Sequence, residues 1–202
     1  MREESLGGSR LAAFSDGIFA VAITLLVLDL HVPSPGQAVS LGTLLRGEFG
    51  SYVVFCISFG IVGIKWLNHH RLLARIGAAD TTLIMLNLWL LFGVTIVPFT
   101  TALVARYLHT PDAATATMLY GLVWMMNGFA YTFVLGYAQR RGLTLVDGRA
   151  ASERRMLRLY ALGPIGYAVG AALAFVDVYA ALAFYVVVVS AYIIPPPRGR
   201  RR

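Results

Sequence analysis

The sequence predicts an all-α membrane protein that crosses the bilayer six times, and three observations lead to this fold class. Of its 202 residues, 58% are apolar and only 13% are charged, whereas an average soluble domain is about 25% charged. The apolar residues form long blocks of the length that a helix needs to cross ~30 Å of hydrocarbon. The arginines collect in alternate connections between these blocks. This composition excludes a soluble enzyme domain, a disordered tail and a fibrous repeat.

The first four apolar blocks each supply about the 20 residues that one spanning helix needs. They cover residues 11–30, 49–67, 81–105 and 116–138. Pro98 lies inside the third block and predicts a kink there, because proline removes a helix hydrogen bond. We therefore expect four spanning helices in this part of the chain.

The last apolar block, residues 159–194, holds 36 residues and a single charge, Asp177. As one helix it would run roughly 54 Å at 1.5 Å per residue, which is too long for any bilayer. We expect the chain to turn near Asp177, so that residues 159–176 and 178–194 form a fifth and a sixth span. All six spans belong to a single transmembrane domain, residues 1–202.

The basic residues predict the orientation of the chain in the membrane. Of the 17 Lys and Arg residues, 15 precede the first span, lie around the second or fourth connection, or form the C-terminal tail. Only Arg46 and Arg106 lie on the other side. Because cytoplasmic segments carry the excess of Lys and Arg, both termini are predicted to be cytoplasmic, in a multi-pass protein of the cell membrane. The net charge of +7 then reflects topology and contact with anionic lipid, not nucleic-acid binding.

The sequence contains no motif of an enzyme or of a metal centre. We find no Walker loop, GxSxG, HExxH or paired-cysteine spacing, and no Thr-Val-Gly-Tyr-Gly potassium filter. Cys56 is the single cysteine, so no intrachain disulfide forms. His69 and His70 are adjacent, about 100° apart on a helix, and are not placed to chelate one metal together. We therefore predict no enzyme activity, no cofactor and no metal.

The first span carries a charge at a depth where charges are rare. Asp16 lies about one and a half turns inside it, and ionisable groups there usually face protein or water with a partner. Steps of three and four residues place one stripe on a single face. The stripe contains Gly17, Val21, Thr24, Leu28 and His31. It fits an ordinary packing face, with the Thr24 hydroxyl bonded to the carbonyl at position 20, and it also fits a functional surface.

Two short strings stand out from the rest of the chain. The first is Arg10-x-x-x-Phe14-Ser15-Asp16-Gly17, followed by Phe19-Ala20-x-x-x-Thr24-Leu25-Leu26. The second, at the end of the second span, is Trp66-x-x-x-His70-Arg71. Together they resemble the signature of the transmembrane protein 175 potassium channels, in the prokaryotic branch that carries a single repeat.

This resemblance implies a homotetramer of six-helix subunits in a lipid bilayer, with the first helix of each subunit lining a central pore. It places the pore constriction at Val21, Thr24 or Leu25, and Leu28, without a re-entrant filter loop. Val21 departs slightly from the family, in which the first constriction is often the larger Ile or Leu. The resemblance also implies a buried polar network that fixes the pore helix. Its members would be Arg10, Ser15, Asp16, Trp66 and His70.

The implied mechanism agrees with simple physical chemistry. An apolar ring narrower than a hydrated ion makes conduction costly, because the ion must shed water, and such constrictions gate by dewetting. Four Thr24 hydroxyls would replace part of the lost hydration. Potassium is more weakly hydrated than sodium and is therefore favoured modestly. We predict a leak-like, potassium-permeable cation channel that needs no cofactor beyond the permeant ions.

The residues alone leave two other functions open. A proton-coupled secondary transporter would use Asp16 and His70 as a proton relay, and Gly163-Pro164 in the fifth span resembles the broken helices of such folds. A membrane scaffold without conduction would use Gly166-x-x-x-Gly170, which is a helix-packing spacing.

Overall fold

The computed structural model describes residues 2–34, 39–145 and 151–193. Within these ranges the chain is helical, apart from turns and one isolated antiparallel bridge between Ile76 and Thr144. The helices are α1 (Arg2–Leu25) with a 3-10 turn after it (Leu26–Asp29), α2 (Leu41–Gly47), α3 (Phe49–Leu73), α4 (Thr81–Thr95), α5 (Val97–Tyr107), α6 (Ala113–Arg140), α7 (Ala151–Leu173) and α8 (Val178–Ser190). The all-α fold class is therefore confirmed.

Five helical stretches in the described part of the chain are long and apolar enough to cross a membrane. They are Ser9–Asp29, Phe49–Leu73, Thr81–Tyr107, Ala113–Arg140 and Glu153–Leu173. Helix α8 adds a shorter apolar helix of 13 residues, about 20 Å long at 1.5 Å per residue. The predicted sixth span ends at residue 194, which lies outside the described residues. The described residues thus form a multi-pass membrane fold with five helical stretches able to span and a sixth, shorter apolar helix.

Two helix boundaries have clear local causes. The third span breaks at Ile96, between α4 and α5, and Pro98 lies in the first turn of α5. Proline has no N–H to donate to the carbonyl four residues earlier, so the helix is interrupted just before it. At the other break, the side chain of Asp177 accepts a hydrogen bond of 2.7 Å from the backbone N–H of Ala180 and caps α8.

Helix α6 lies at the centre of the bundle and packs against α4, α5, α7 and α8. Its Trp124 is fully buried. The ring of Tyr185, from α8, fits between α6 and α7 only because both helices present glycine there. A Cβ on Gly121 would lie 2.0 Å from the Tyr185 hydroxyl oxygen, and one on Gly170 would lie 2.3 Å from its Cε1 atom. Gly166 likewise faces Val188 of α8, so the Gly166-x-x-x-Gly170 spacing packs helices within the subunit.

At one end of the bundle, the connection between α3 and α4 is bound to the connection between α6 and α7. Arg75 forms an ion pair with the buried carboxylate of Glu153, in the first turn of α7. The backbone N–H of Gly77 donates to the carbonyl of Leu143 at 2.8 Å, and that of Leu145 donates to the carbonyl of Arg75 at 2.8 Å. These contacts hold the ends of four helices together.

Asp80 completes this end by capping α4. Its carboxylate accepts a 2.8 Å hydrogen bond from the backbone N–H of Leu83 and a 2.7 Å hydrogen bond from the hydroxyl of Tyr137. The Leu83 bond and then the Tyr137 bond favour the ionised form and lower the pKa of the Asp80 carboxyl below its usual value. The folded protein therefore binds a proton at Asp80 less readily than the unfolded chain does.

We expect Asp80 to stabilise the fold at neutral pH and to lose this effect in acid. A lowered folded pKa contributes stability above the unfolded pKa of about 3.9, and the contribution disappears as the pH falls through the folded pKa. Asp80→Asn should therefore unfold at a lower temperature than wild type at pH 7, and the difference should shrink as the pH falls from about 5 to 3. Asp112→Asn is the matched control, because Asp112 precedes α6 without a side-chain cap bond. A wild-type advantage that grows in acid would contradict the assignment.

Candidate functional site

Helix α1, together with the 3-10 turn that continues it, has one buried face and one face left uncovered by the described part of the subunit. Its buried stripe, Ser15, Phe19, Ala22 and Leu26, follows steps of four and three residues and packs toward α3 and α4. The four predicted constriction residues lie on the uncovered side. Val21 is 58% exposed, Leu25 41% and Leu28 74%, and Thr24 is exposed as well. Within the described part of one subunit, these four constriction residues therefore do not form a packing face.

Thr24 is the polar member of this uncovered surface. Its hydroxyl donates to the carbonyl of Ala20 at 3.0 Å or to that of Val21 at 2.9 Å, both in its own helix. The hydroxyl proton is thus directed at the backbone. The residue is exposed, and its oxygen keeps lone pairs that are able to accept a hydrogen bond or contact a cation.

A chain of buried hydrogen bonds holds the other side of α1. The side-chain amide of Asn87, on α4, donates to the hydroxyl of Ser15 at 3.0 Å. The Asn87 oxygen in turn is 2.8 Å from the Nε2 atom of His69, on α3, and all three side chains are fully buried. The ring of Phe19 packs against His69 with centroids 5.3 Å apart. One amide therefore ties α1 to α3 through α4.

A second contact between α1 and α3 lies beside this chain. The indole N–H of Trp66 donates to a carboxylate oxygen of Asp16 at 2.9 Å, and the ring of His70 lies next to that indole with centroids 6.1 Å apart. Arg10 is exposed, and no hydrogen bond or ion pair in the described ranges joins it to Asp16 or His70. The structure thus brings Asp16, Trp66 and His70 together and leaves Arg10 outside the group.

The buried chain contains two residues that the sequence did not assign to the network. His69 and His70 are neighbours, and periodicity alone did not tell which of them faces α1. The usable signal was the spacing on α3: Val62, Lys65, His69 and Leu72 follow the steps of a buried face. Asn87 had a similar signal, because it is a lone polar residue among the apolar residues of α4.

The described residues contain no group of three or more His, Cys, Asp or Glu side chains placed to hold a metal ion. Cys56 is exposed and unpaired in this part of the chain. What the site offers is an uncovered surface of apolar side chains and one hydroxyl oxygen, while Asp16 and Ser15 of the same helix bond to α3 and α4. Fold and site together define a multi-pass helical membrane protein whose first helix is held firmly but left bare on one face.

Comparison with known proteins identifies the family. A family model described as the endosomal/lysosomal potassium channel TMEM175 matches residues 10–98. A potassium channel of Streptomyces collinus is 38% identical over 172 residues, which cover 83% of this chain and 82% of that protein. A potassium channel of Chamaesiphon minutus is 35% identical over 173 residues, with 84% and 85% covered.

A solved structure agrees with the sequence comparisons. The crystal structure of a lysosomal potassium-selective channel TMEM175 homologue from Chamaesiphon minutus superposes with a TM-score of 0.84 at 32% identity, covering 93% of this chain and 96% of the other. The chain belongs to the TMEM175 family, as its two motifs predicted. These relatives are ion channels and not enzymes, in agreement with the prediction of no enzyme activity.

Proposed function

We propose that this chain forms a homotetrameric, potassium-permeable, leak-like cation channel in which the bare face of α1 lines a central pore. The observation that carries the proposal is the uncovered stripe of Val21, Thr24, Leu25 and Leu28, all of which are exposed in the single subunit. Support for potassium as the permeant ion comes from the relatives, which are named potassium channels. No cofactor takes part; the permeant ions are the substrate.

In the proposed pore, Val21, Leu25 and Leu28 from four subunits form apolar rings. A ring narrower than a hydrated ion excludes water and makes passage costly, so the rings act as a hydrophobic gate. The Thr24 oxygen, whose proton is directed at its own helix, supplies a ring of acceptors between the apolar layers. Few oxygens in an apolar neck favour the more weakly hydrated potassium ion over sodium.

The proposed orientation places both termini on the cytoplasmic side of the cell membrane, as the arginine distribution predicts. The constriction then lies in the outer half of the bilayer, and Asp16 lies nearer to the cytoplasmic side. Asp29 is exposed at the end of the 3-10 turn, at the outer mouth, where a negative charge raises the local cation concentration.

The channel is distinguished from the proton-coupled transporter by its rate. Purified protein in liposomes should pass potassium in an electrogenic flux that does not saturate at a low turnover and does not need a proton gradient. Flux that saturates at low turnover and follows an imposed proton gradient would overturn the channel proposal. In the structure Asp16 accepts its hydrogen bond from Trp66, and no hydrogen bond in the described ranges connects it to His70, so the contacts favour the channel.

We expect Gly17→Leu to weaken assembly while the single subunit still folds. A Cβ at Gly17 would meet no atom within 4 Å in the subunit, so the glycine is not needed for packing there. In a tetramer whose pore helices lie side by side, the added side chain would overpack the contact, at about 1–3 kcal/mol. Light scattering in detergent should show loss of the tetramer. Ala172→Leu, on the exposed face of α7, is the control and should leave the tetramer intact; an intact Gly17→Leu tetramer would contradict the proposed arrangement.

A further inference from the structure

The charge distribution predicts that Lys65 is one of the cytoplasmic basic residues around the second connection. In the structure it lies inside the bundle instead. It is on α3 and only 7% of its surface is exposed. Its Nζ atom lies over four aromatic rings. The distances to the ring centroids are 4.9 Å for Tyr167, 5.2 Å for Tyr131, 5.7 Å for Trp124 and 5.9 Å for Tyr192. We call these four residues the aromatic box.

The aromatic box takes the place of a counter-ion. The only ion pair within the described ranges joins Arg75 to Glu153, so no carboxylate there compensates the Lys65 ammonium. Ring faces carry the negative part of the aromatic quadrupole and attract an ammonium within about 6 Å, more strongly where water is excluded. The rings come from α6, α7 and the turn after α8. A single side chain therefore joins α3 to all three of these segments.

The backbone at Lys65 is fixed as well. The hydroxyl of Tyr131 donates to the Lys65 carbonyl at 2.6 Å, and it is buried on α6. Tyr131 thus holds this residue at two points: its ring faces the ammonium and its hydroxyl bonds the carbonyl. The ring of Tyr160, on α7, packs edge-on against Tyr131 with centroids 5.5 Å apart and supports it from behind.

The next residue, Trp66, lies on a different side of α3. Successive residues on a helix are about 100° apart, so Lys65 faces the aromatic box while Trp66 reaches Asp16 on α1. The turn of α3 at these two residues therefore connects the rigid part of the bundle to the first helix. A shift of that turn moves the Trp66 indole N–H, which donates to Asp16. It therefore also moves α1, the helix that carries the uncovered stripe.

We propose that Lys65 is a positioning residue for the ion pathway: its ammonium, held by the aromatic box, sets the position of Trp66 and thereby of α1. This inference rests on the proposed function, because α1 must line the pore for the position of Trp66 to affect permeation. Lys65 itself does not contact the uncovered stripe and acts only through the Trp66–Asp16 contact.

The first test compares ion selectivity with stability in the Lys65→Met variant, which keeps an unbranched side chain of similar size and removes its charge. The potassium-to-sodium permeability ratio, measured from reversal potentials, should change by about twofold or more. The control is Tyr185→Phe, which keeps the ring beside Tyr167 and loses only the buried hydrogen bond to the Thr117 carbonyl, and it should leave the ratio unchanged. An assembled Lys65→Met channel that unfolds at a lower temperature but keeps the wild-type ratio would overturn the inference.

The second test asks whether the effect passes through Trp66. Trp66→Phe removes the indole donor to Asp16, so its effect and that of Lys65→Met should be strongly non-additive in the double variant; additive effects would overturn the inference. If Lys65→Met fails to assemble, Tyr167→Leu decides, because it removes the ring nearest the ammonium, at 4.9 Å, and its hydroxyl has no hydrogen-bond partner in the described part of the chain: a changed ratio supports the inference and an unchanged one overturns it. Absence of potassium current in the wild type would instead overturn the proposed function.

Discussion

Leu28→Ala is expected to raise potassium flux by about tenfold, which corresponds to lowering the barrier by about 1.4 kcal/mol. Four subunits each lose an isopropyl group from the proposed ring, so the neck widens and holds water more readily. Leu28 is 74% exposed, and its truncation removes little packing from the subunit. Val21→Ala should act in the same direction with a smaller effect, because less side chain is removed.

The measurement is single-channel conductance together with flux into liposomes at matched protein density. Phe92→Ala is the control, because Phe92 is also large, apolar and 56% exposed but lies on α4. It should leave conductance and selectivity at the wild-type level. If neither α1 variant changes conductance while Phe92→Ala does, the pore is not on the first helix.

Asn87→Leu is expected to cost about 2–4 kcal/mol of the free energy of unfolding, which is the largest stability loss we predict for a single change. The variant leaves the Nε2 atom of His69 without a partner, and the Nδ1 atom of that ring already has none in the described part of the chain. Ser15 loses the hydrogen bond that it accepts. Buried polar atoms left unsatisfied cost about 1–3 kcal/mol each.

This loss is measured as the midpoint of thermal unfolding and as tetramer yield in detergent. The matched control is Asn68→Leu, because Asn68 donates only to the carbonyl of Ile64 in its own helix and ties no second helix to α1. It should be clearly less destabilising. Equal stability of the two variants would show that the Ser15–Asn87–His69 chain does not hold α1 in place.

Much of the fold was predictable from the sequence because lipid imposes a simple rule. Each apolar block had to become a helix, and Pro98 and Asp177 lie where the helices break or begin. The connections were less predictable. Helix α7 begins at Ala151, before the apolar block, because Glu153 in its first turn pairs with Arg75 from another connection. That contact depends on how the helix ends meet in space.

The candidate site was predictable in part. The strings around Asp16 and Trp66 indicated the two residues that the structure joins by a hydrogen bond. They did not indicate that His69, and not His70, reaches Asn87. The rotation of α3 about its axis decides which of two adjacent residues faces inward. A turn of α3 near its end is polar on all sides, with Asn68, His69, His70 and Arg71 in succession, so its sequence does not indicate that rotation.

Lys65 was the least predictable position. A lysine near the end of an apolar block normally belongs to the membrane surface, and the topology rule treats it so. Its burial depends on aromatic rings from α6, α7 and the turn after α8, which converge on it only in the folded bundle. The glycine pair Gly166 and Gly170 was recognisable as a packing motif, but its partner, α8, follows only from the fold.

The central claim, that the bare face of α1 lines the ion pathway, is tested most directly by block of the channel at a single introduced thiol. Leu28→Cys and Phe92→Cys are each made with Cys56→Ser, since Cys56 is exposed, and each is treated with a charged, membrane-impermeant thiol reagent. We predict that potassium current through the Leu28→Cys channel falls steeply on modification and that current through the Phe92→Cys channel does not change. Unchanged current through a fully modified Leu28→Cys channel, with block at Phe92→Cys, would contradict the claim.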